Sequence, residues 1–327
     1  MRLDEFSDHR YRQDSFERSP PGDLRVAVGQ KHGKVRVEAE QLRAFVAGVR
    51  GEIIQGSSQD ATARAVRRLL QAQLATAAFP LDCIETALDK MSDSPDALWN
   101  NPPLWEDYEC AFLIRVFFWT PGFANQPHRH DEWTVTGVLH NALTFHTYLE
   151  TAGGLVVDRR IEASAGDVGY ISSPCTHNVS NDTQGISVSL HVFSGVHAAE
   201  SDGGDVYGEA QVSLKRAERA RALGAFVELA RCLDGPRRLS VLERIFGLGD
   251  PPVKLASAKA IAPLDPELAA LRLGELAGLC SASVADELNR FARRLSGSSE
   301  QQRASLRGVI GPSNPAPRPI DGGGPVR

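Results

Sequence analysis

The segment Gly122–Gly137 reads GFANQPHRHDEWTVTG and places two histidines, His128 and His130, one residue apart in a strand-like run. Side chains alternate between the two faces of a β-strand, so both imidazoles are expected on one face. About 47 residues later, His177 offers a third imidazole within GDVGYISSPCTHNVSN. Because clustered imidazoles commonly bind metals, the sequence predicts a metal site made of His128, His130 and His177.

The two histidine segments resemble the two signature motifs of the cupin superfamily. The first reads G-x5-H-x-H from Gly122 to His130, and the second reads P-x-x-H-x-x-x-N from Pro174 to Asn181. Both motifs in this order are a more specific signal than either one alone. The resemblance implies a cupin fold, that is, a double-stranded β-helix or jelly-roll barrel. Short β-rich runs between Gly, Asn and Asp turn signals over 131–195 independently indicate an antiparallel barrel.

The remaining chain is predicted to flank this barrel with helices, which makes the fold mainly β with α. We expect a poorly ordered polar arm over 1–36, N-terminal helices over 37–95 and the barrel over 96–204. An Ala-, Leu-, Arg- and Glu-rich stretch over 205–295 predicts a small helical C-terminal domain. The Pro- and Gly-rich remainder over 296–327 predicts a disordered tail.

Composition narrows the class of protein. The chain has 327 residues and a formal net charge of -5, and its basic residues are scattered, which argues against a nucleic-acid partner. No apolar run is long enough for a signal peptide or a membrane span, so no membrane partner is expected. Five cysteines without a C-x-x-C spacing favour a reducing cytoplasm.

Part of the chain, over about residues 98 to 197, is more narrowly similar to the bacterial thiol dioxygenases, the cysteine dioxygenase-like branch of the cupins. HRHDEWTVTGVL resembles the family's H-D-H-x-x-W-x-x-x-G-x-L, and ISVSLHVFS resembles its S-L-H-x-Y-S strand. The resemblance implies that His128, His130 and His177 hold Fe(II), and that a small-molecule thiol and O2 react there to give a sulfinic acid. Three imidazoles on one face of an octahedron leave positions open, although zinc, nickel or copper also suit these ligands.

The family's Ser-His-Tyr relay maps onto Ser189, His191 and Phe193, so Ser189 and His191 are candidate catalytic residues, with a buried core hydrogen bond as the alternative role. Phe193 has no hydroxyl, so the relay is truncated. Arg115 interrupts the apolar run 98–120 and is a candidate for binding a substrate carboxylate; a structural ion pair is the alternative. Glu132, two residues after His130, is a second-choice metal ligand.

Three functions are therefore compared. The first is an Fe(II)-dependent thiol dioxygenase. The second is a three-histidine cupin dioxygenase that cleaves a carbon–carbon bond of a diketone-like substrate. The third is a ligand-sensing cupin whose segment GELAGLCSASVADEL has the rhythm of a helix-turn-helix, although this segment lacks a basic recognition face. A packing or dimerising role for the C-terminal helices is preferred over DNA binding, and a homodimer is one assembly that the sequence leaves open.

Overall fold

The computed structural model describes residues 39–55, 58–93, 103–130, 132–171, 175–195 and 209–309, without the side chains of 130, 209–215 and 298–309. The predicted arm over 1–36 lies outside these ranges. No helix in the described ranges is long and apolar enough to cross a membrane. None of the five cysteines is in a disulfide.

The described chain is mixed α/β, with helices before and after a set of antiparallel strands. The helices are α1 (Glu40–Ile54), α2 (Gln59–Leu74), α3 (Ala78–Asp93), α4 (Glu209–Cys232), α5 (Arg238–Leu248), α6 (Pro251–Ile261), α7 (Pro266–Ala277) and α8 (Ala282–Val309). The strands are β1 (Pro103–Asp107), β2 (Phe112–Trp119), β3 (His128–His130), β4 (Thr134–His140), β5 (Ala142–Thr151), β6 (Gly154–Ser164), β7 (Val168–Ile171), β8 (Cys175–Ser180) and β9 (Ser187–Ser194).

The strands form two antiparallel sheets. The five-stranded sheet has the order β1-β2-β9-β4-β7, and the four-stranded sheet has the order β3-β8-β5-β6. One face of the five-stranded sheet carries Phe112, Ile114 and Val116 into a core shared with the helices. The opposite face carries Trp119 and Val138, which pack against side chains of the four-stranded sheet. The five-stranded sheet therefore lies between a helical layer and the second sheet.

The contact region between the two sheets is called the inner cluster here. Its members are apolar side chains from both sheets: Trp119, Val138, Leu143 and Val179, with Phe117, Phe145 and Ala163 packed against them. Burial of such side chains is the main contribution to holding two sheets together. The faces that meet at the inner cluster are called the inner faces below.

Helix α2 approaches the five-stranded sheet most closely at Gly137. A Cβ built there would lie 2.8 Å from Leu74 Cδ1 and 2.9 Å from Leu70 Cδ2, closer than real Cβ contacts. Helix α4 packs on the same face, where Phe118 and Phe226 make an edge-to-face contact with ring centroids 5.2 Å apart. Glycine at this position therefore allows the helix to pack closely on the sheet.

The C-terminal helices are less separate than the sequence predicts. Val241, Ile245 and Ile261 belong to the same core as the sheet and helices α1 to α3. Asp82, on α3, accepts hydrogen bonds from the backbone N–H groups of Gln41 and Leu42 and from Arg237. This carboxylate thus links the first turn of α1 with the segment before α5.

Three local details go beyond what the sequence patterns show. The apolar run 98–120 contains two strands, since β1 pairs with β2 through a turn. Within the predicted helical stretch 205–295, α6 has no separate prediction, although Pro251 in its first turn and the Asp250 cap are helix-start signals. Helix α8 contains 28 residues, from Ala282 to Val309, and so continues through Ser296, where the sequence predicts that the tail begins.

Candidate metal centre

The three predicted metal ligands lie on two paired strands of the four-stranded sheet. His128 is directly opposite His177 in the β3–β8 ladder, and His130 is opposite Cys175. The imidazole rings of His128 and His177 have centroids 4.5 Å apart. This spacing suits two imidazoles that share one metal ion. The side chain of His130 lies outside the described atoms, so its part in the site stays a prediction.

Both described histidines are oriented by their own backbone. Nδ1 of His128 lies 2.9 Å from the carbonyl oxygen of Gln126, and Nδ1 of His177 lies 3.1 Å from that of Cys175. A carbonyl oxygen can only accept, so each Nδ1 carries the proton and donates. The lone pair of each ring is then on Nε2, which is the arrangement typical of metal-binding histidines. The residues described here therefore fit a metal ion.

Other candidate donors do not join the pair. Among the described side chains, no group of three His, Cys, Asp or Glu residues is placed to hold a metal ion. Glu132 therefore does not complete a set with His128 and His177; its carboxylate lies against Gly195, just past β9. Burial, with Asp158 adding to it, raises the pKa of the Cys175 thiol, so the protonated form is favoured. His130 is the donor that the predicted set still requires.

A chain of hydrogen bonds crosses the inner face of the five-stranded sheet. The indole Nε1–H of Trp119 donates to Ser189 Oγ at 2.8 Å, and Ser189 Oγ lies 2.9 Å from His191 Nε2. On the other side of the ring, His191 Nδ1 lies 3.0 Å from Thr136 Oγ1. If the Ser189 hydroxyl donates to Nε2, then Nδ1 carries the proton and donates to Thr136. Every group in this series of hydrogen bonds then has a partner. Both ring nitrogens of His191 are thus engaged within the five-stranded sheet.

Phe193, which the sequence aligns with the relay tyrosine of the thiol dioxygenases, packs against His191. The two rings are nearly parallel, with an interplanar angle of 12° and centroids 5.6 Å apart. Phe117 also lies against His191, with ring centroids 4.4 Å apart, and its ring centroid is 6.1 Å from that of Phe193. Two phenylalanine rings, neither of which carries a hydroxyl, therefore pack against His191.

Arg115 lies directly opposite His191 in the β2–β9 ladder, and directly opposite residues share a face. Its Nε is buried and has no hydrogen-bond partner among the described residues. Burial lowers the pKa of Arg115, and Glu106 opposes this effect. A buried guanidinium N–H of this kind is a ready donor to an anion.

Asn181 connects the parts of the site. This residue is fully buried, and its Nδ2 donates to the carbonyl oxygens of Trp119 at 2.7 Å and Gly185 at 2.8 Å. Its Oδ1 accepts from the N–H and the hydroxyl of Thr183. Its backbone pairs with Gly122 and Phe123, in the loop that leads to His128. One amide therefore aligns the end of β2, the approach to β3 and the turn before β9.

Alternation along one strand predicts that Ser189, His191 and Phe193 share a face, and the β2–β9 register places Arg115, a separate candidate from the sequence, on that face as well. The sequence does not predict Thr136 as a partner of His191, because only the register of β4 against β9 brings them together. His140 and His146 lie on β4 and β5, outside the hydrogen-bonded groups described above. In the segment that the helix-turn-helix hypothesis concerns, residues 278–281 join α7 to α8. Asp286 and Glu287 in α8 are exposed.

Comparison with known proteins gives weak matches to solved structures. No family model matches the chain, and no curated protein matches it. A cupin superfamily protein of Desulfitobacterium hafniense is 15% identical with a TM-score of 0.24, over 29% of this chain and 75% of that one. A protein of Thermus thermophilus is 16% identical with a TM-score of 0.25, over 31% of this chain and 92% of that one.

Oxalate decarboxylase of Bacillus subtilis, described with Mn(II) centres, is 22% identical with a TM-score of 0.24. That match covers 27% of this chain and 23% of the decarboxylase. The structural neighbours thus include cupin proteins. At these identities and TM-scores the matches carry no argument about this chain.

Proposed function

We propose that this chain is a metal-dependent cupin dioxygenase that adds both atoms of O2 to the sulfur of a small thiol bearing a carboxylate. The observation that carries the proposal is the His128–His177 pair, whose rings face each other with each Nδ1 bound to a backbone carbonyl. His130 is the proposed third ligand. The two antiparallel sheets are taken as the two halves of a jelly-roll barrel around this centre.

The protein's own contribution is orientation and exclusion of water. When bound, Fe(II) favours the thiolate form of the substrate and offers O2 a position beside it. The Nδ1–H bonds of His128 and His177 fix the ring orientations before any ligand arrives. Apolar side chains of the inner cluster line the space between the sheets and limit access of water. Oxidation of a thiol to a sulfinate by O2 needs no separate reductant.

Arg115 supplies the proposed preference for an anionic substrate. Its buried Nε has no partner among the described residues, and its neighbour across the ladder is His191. Burial of a guanidinium N–H without a hydrogen-bond partner is costly, and a bound carboxylate would offset that cost. A thiol with a carboxylate, such as 3-mercaptopropionate, is therefore expected to react better than cysteamine, which has none.

Phe193 favours a second candidate, cleavage of a carbon–carbon bond in a diketone-like substrate. Two aromatic rings, Phe117 and Phe193, flank His191, so this wall of the site is apolar where the thiol dioxygenase resemblance expects a hydroxyl. A bidentate diketone would use two oxygen donors in place of the thiolate. Its product would be a pair of acids, which distinguishes the two reactions chemically.

Oxygen consumption tests both reactions on one sample. The anaerobically Fe(II)-loaded protein is mixed with cysteine, 3-mercaptopropionate, cysteamine and simple diketones, and products are identified by mass spectrometry. We expect sulfinate from the carboxylate-bearing thiols. Replacement Arg115→Met, which keeps an unbranched side chain without the charge, should lower kcat/KM for 3-mercaptopropionate about 10- to 100-fold and leave cysteamine unchanged. Uptake with diketones alone would select the second candidate, and an equal loss for both thiols would contradict the role of Arg115.

A further inference from the structure

Strand β6 forms one edge of the four-stranded sheet and is exposed along nearly its whole length. The β5–β6 hairpin carries a group of large apolar side chains that are between 45% and 57% exposed: Leu149, Leu155, Val156, Val157 and Ile161. An edge strand also presents backbone N–H and C=O groups that its own sheet does not use. Both features make this edge suitable for pairing with another strand.

A bulge sets which side chains share a face of β6. Ile161 lies opposite Phe145, and Val156 lies opposite Leu149. Phe145 and Leu149 are four residues apart on β5 and so share a face. Val156 and Ile161 therefore also share a face, although they are five residues apart, because the bulge inserts Asp158 into β6.

We propose that β6 pairs in antiparallel fashion with β6 of a second copy of this chain, about a two-fold axis between Asp158 and Arg159. In this register Asp158 faces the partner's Arg159, and Val156 faces the partner's Ile161. Each contact occurs twice because the interface is isologous. Opposite charges and apolar side chains directly across two strands are both stabilising.

The charges of β6 discriminate against the neighbouring registers. A shift by one residue in one direction places Arg159 opposite itself, and a shift in the other direction places Asp158 opposite itself. Like charges directly opposite each other are destabilising. The first shift places Val156 opposite Glu162, and the second places it opposite Arg160. These charged residues lie on the other face of β6, because they pair with Thr144 and His146 on β5. The strand is thus complementary to itself in one centred register, which identifies a second copy as its occupant.

Within a single copy, Asp158 and Arg159 form only a long and exposed ion pair. Within one copy Arg159 Nε lies 3.5 Å from Asp158 Oδ2, and the Arg159 side chain is 75% exposed. The apolar side chains on the two faces of the hairpin expose on the order of 400 Å² per copy, which is comparable to the largest apolar patch of a typical monomer, and such patches are often functional. Two copies together with the paired backbones would approach the roughly 1,200 Å² of the smaller specific interfaces.

Light scattering coupled to size exclusion tests the interface with the full chain over a range of concentrations. The wild-type protein should be a dimer. Val156→Glu and Ile161→Glu should each raise the dissociation constant about 100-fold, since each charge enters the interface twice. Leu271→Glu on α7, where the native side chain is 58% exposed, is the matched control and should remain dimeric. A monomer at all concentrations, or a dimer that resists both glutamates, would overturn the proposal.

Disulfide trapping tests the register itself. In a Cys232→Ser background, an equal mixture of Val156→Cys and Ile161→Cys proteins should form a crosslinked dimer on mild oxidation. Each protein alone should not, because identical positions would lie about 17 Å apart in this register. The double exchange Asp158→Arg with Arg159→Asp should dimerise, whereas either single change should weaken the dimer. Crosslinking of one variant with itself would contradict the register.

Discussion

Replacement of Asn181 by alanine tests how the site is held together. The change removes four side-chain hydrogen bonds: two that Nδ2 donates, to Trp119 O and Gly185 O, and two that Oδ1 accepts from Thr183. Each buried hydrogen bond contributes about 1 kcal/mol net, and the Trp119 carbonyl loses a buried partner. Thr183 is only half-buried, so water can replace part of what it loses. We expect the free energy of unfolding to fall by about 3 kcal/mol.

Urea denaturation followed by fluorescence and circular dichroism measures this loss, with an unchanged slope showing that the same surface is exposed on unfolding. Asn178→Ala is the matched control. Asn178 is half-buried, accepts from the Tyr148 hydroxyl and donates to the Asn125 carbonyl, so its removal should cost about 1 kcal/mol. An Asn181→Ala protein no less stable than Asn178→Ala would refute the conclusion that Asn181 aligns the three segments.

Three further outcomes follow from single contacts. Gly137→Ala should destabilise the protein by about 1–3 kcal/mol, because its Cβ would meet Leu70 and Leu74, whereas Gly224→Ala in α4, with open space around it, should be neutral or stabilising in the same urea titration. Burial by itself would raise the pKa of Asp107, but the Cys110 N–H and Arg50 outweigh it and hold that pKa below its usual value. A group whose pKa is lowered on folding stabilises the folded state at pH values above its unfolded-state pKa. This contribution is lost as the pH falls through the folded-state pKa, so Asp107→Asn should flatten the acid side of the plot of unfolding free energy against pH. Phe193→Tyr restores a hydroxyl beside His191 and should change the rate or substrate range in oxygen-uptake assays; unchanged kinetics on every accepted substrate would argue against this face lining the site.

The sequence predicts most of the site's residues but few of their partners. Alternation along a strand is local, so it places His128 with His130, and Ser189 with His191, without knowledge of the fold. Helical periodicity similarly predicts α1 to α3. The Trp119–Ser189 bond joins residues 70 apart in sequence, and Thr136 meets His191 only through the register of two strands. Register depends on the whole sheet, so these contacts could not be predicted from local patterns.

Helix α6 and the length of α8 show a different limit. Alanine-containing segments such as 251–261 lack a clear apolar stripe, so their helical state depends on capping and on tertiary contacts. Asp250 supplies the cap by accepting from Val253 N–H. The sequence singles out Arg115 because it interrupts an apolar run, but its position opposite His191 depends on the β2–β9 register and its buried Nε is visible only in three dimensions.

The iron content of the purified protein is a direct test of the centre formed by His128, His130 and His177. Wild-type protein is loaded anaerobically with Fe(II), passed through a desalting column and analysed by inductively coupled plasma mass spectrometry beside His128→Ala, His130→Ala, His177→Ala and the control His146→Ala. We expect about one iron per chain in the wild type and the control and almost none in the other three variants. Full iron retention by His128→Ala or His177→Ala, with the fold intact by circular dichroism, would contradict the three-histidine centre.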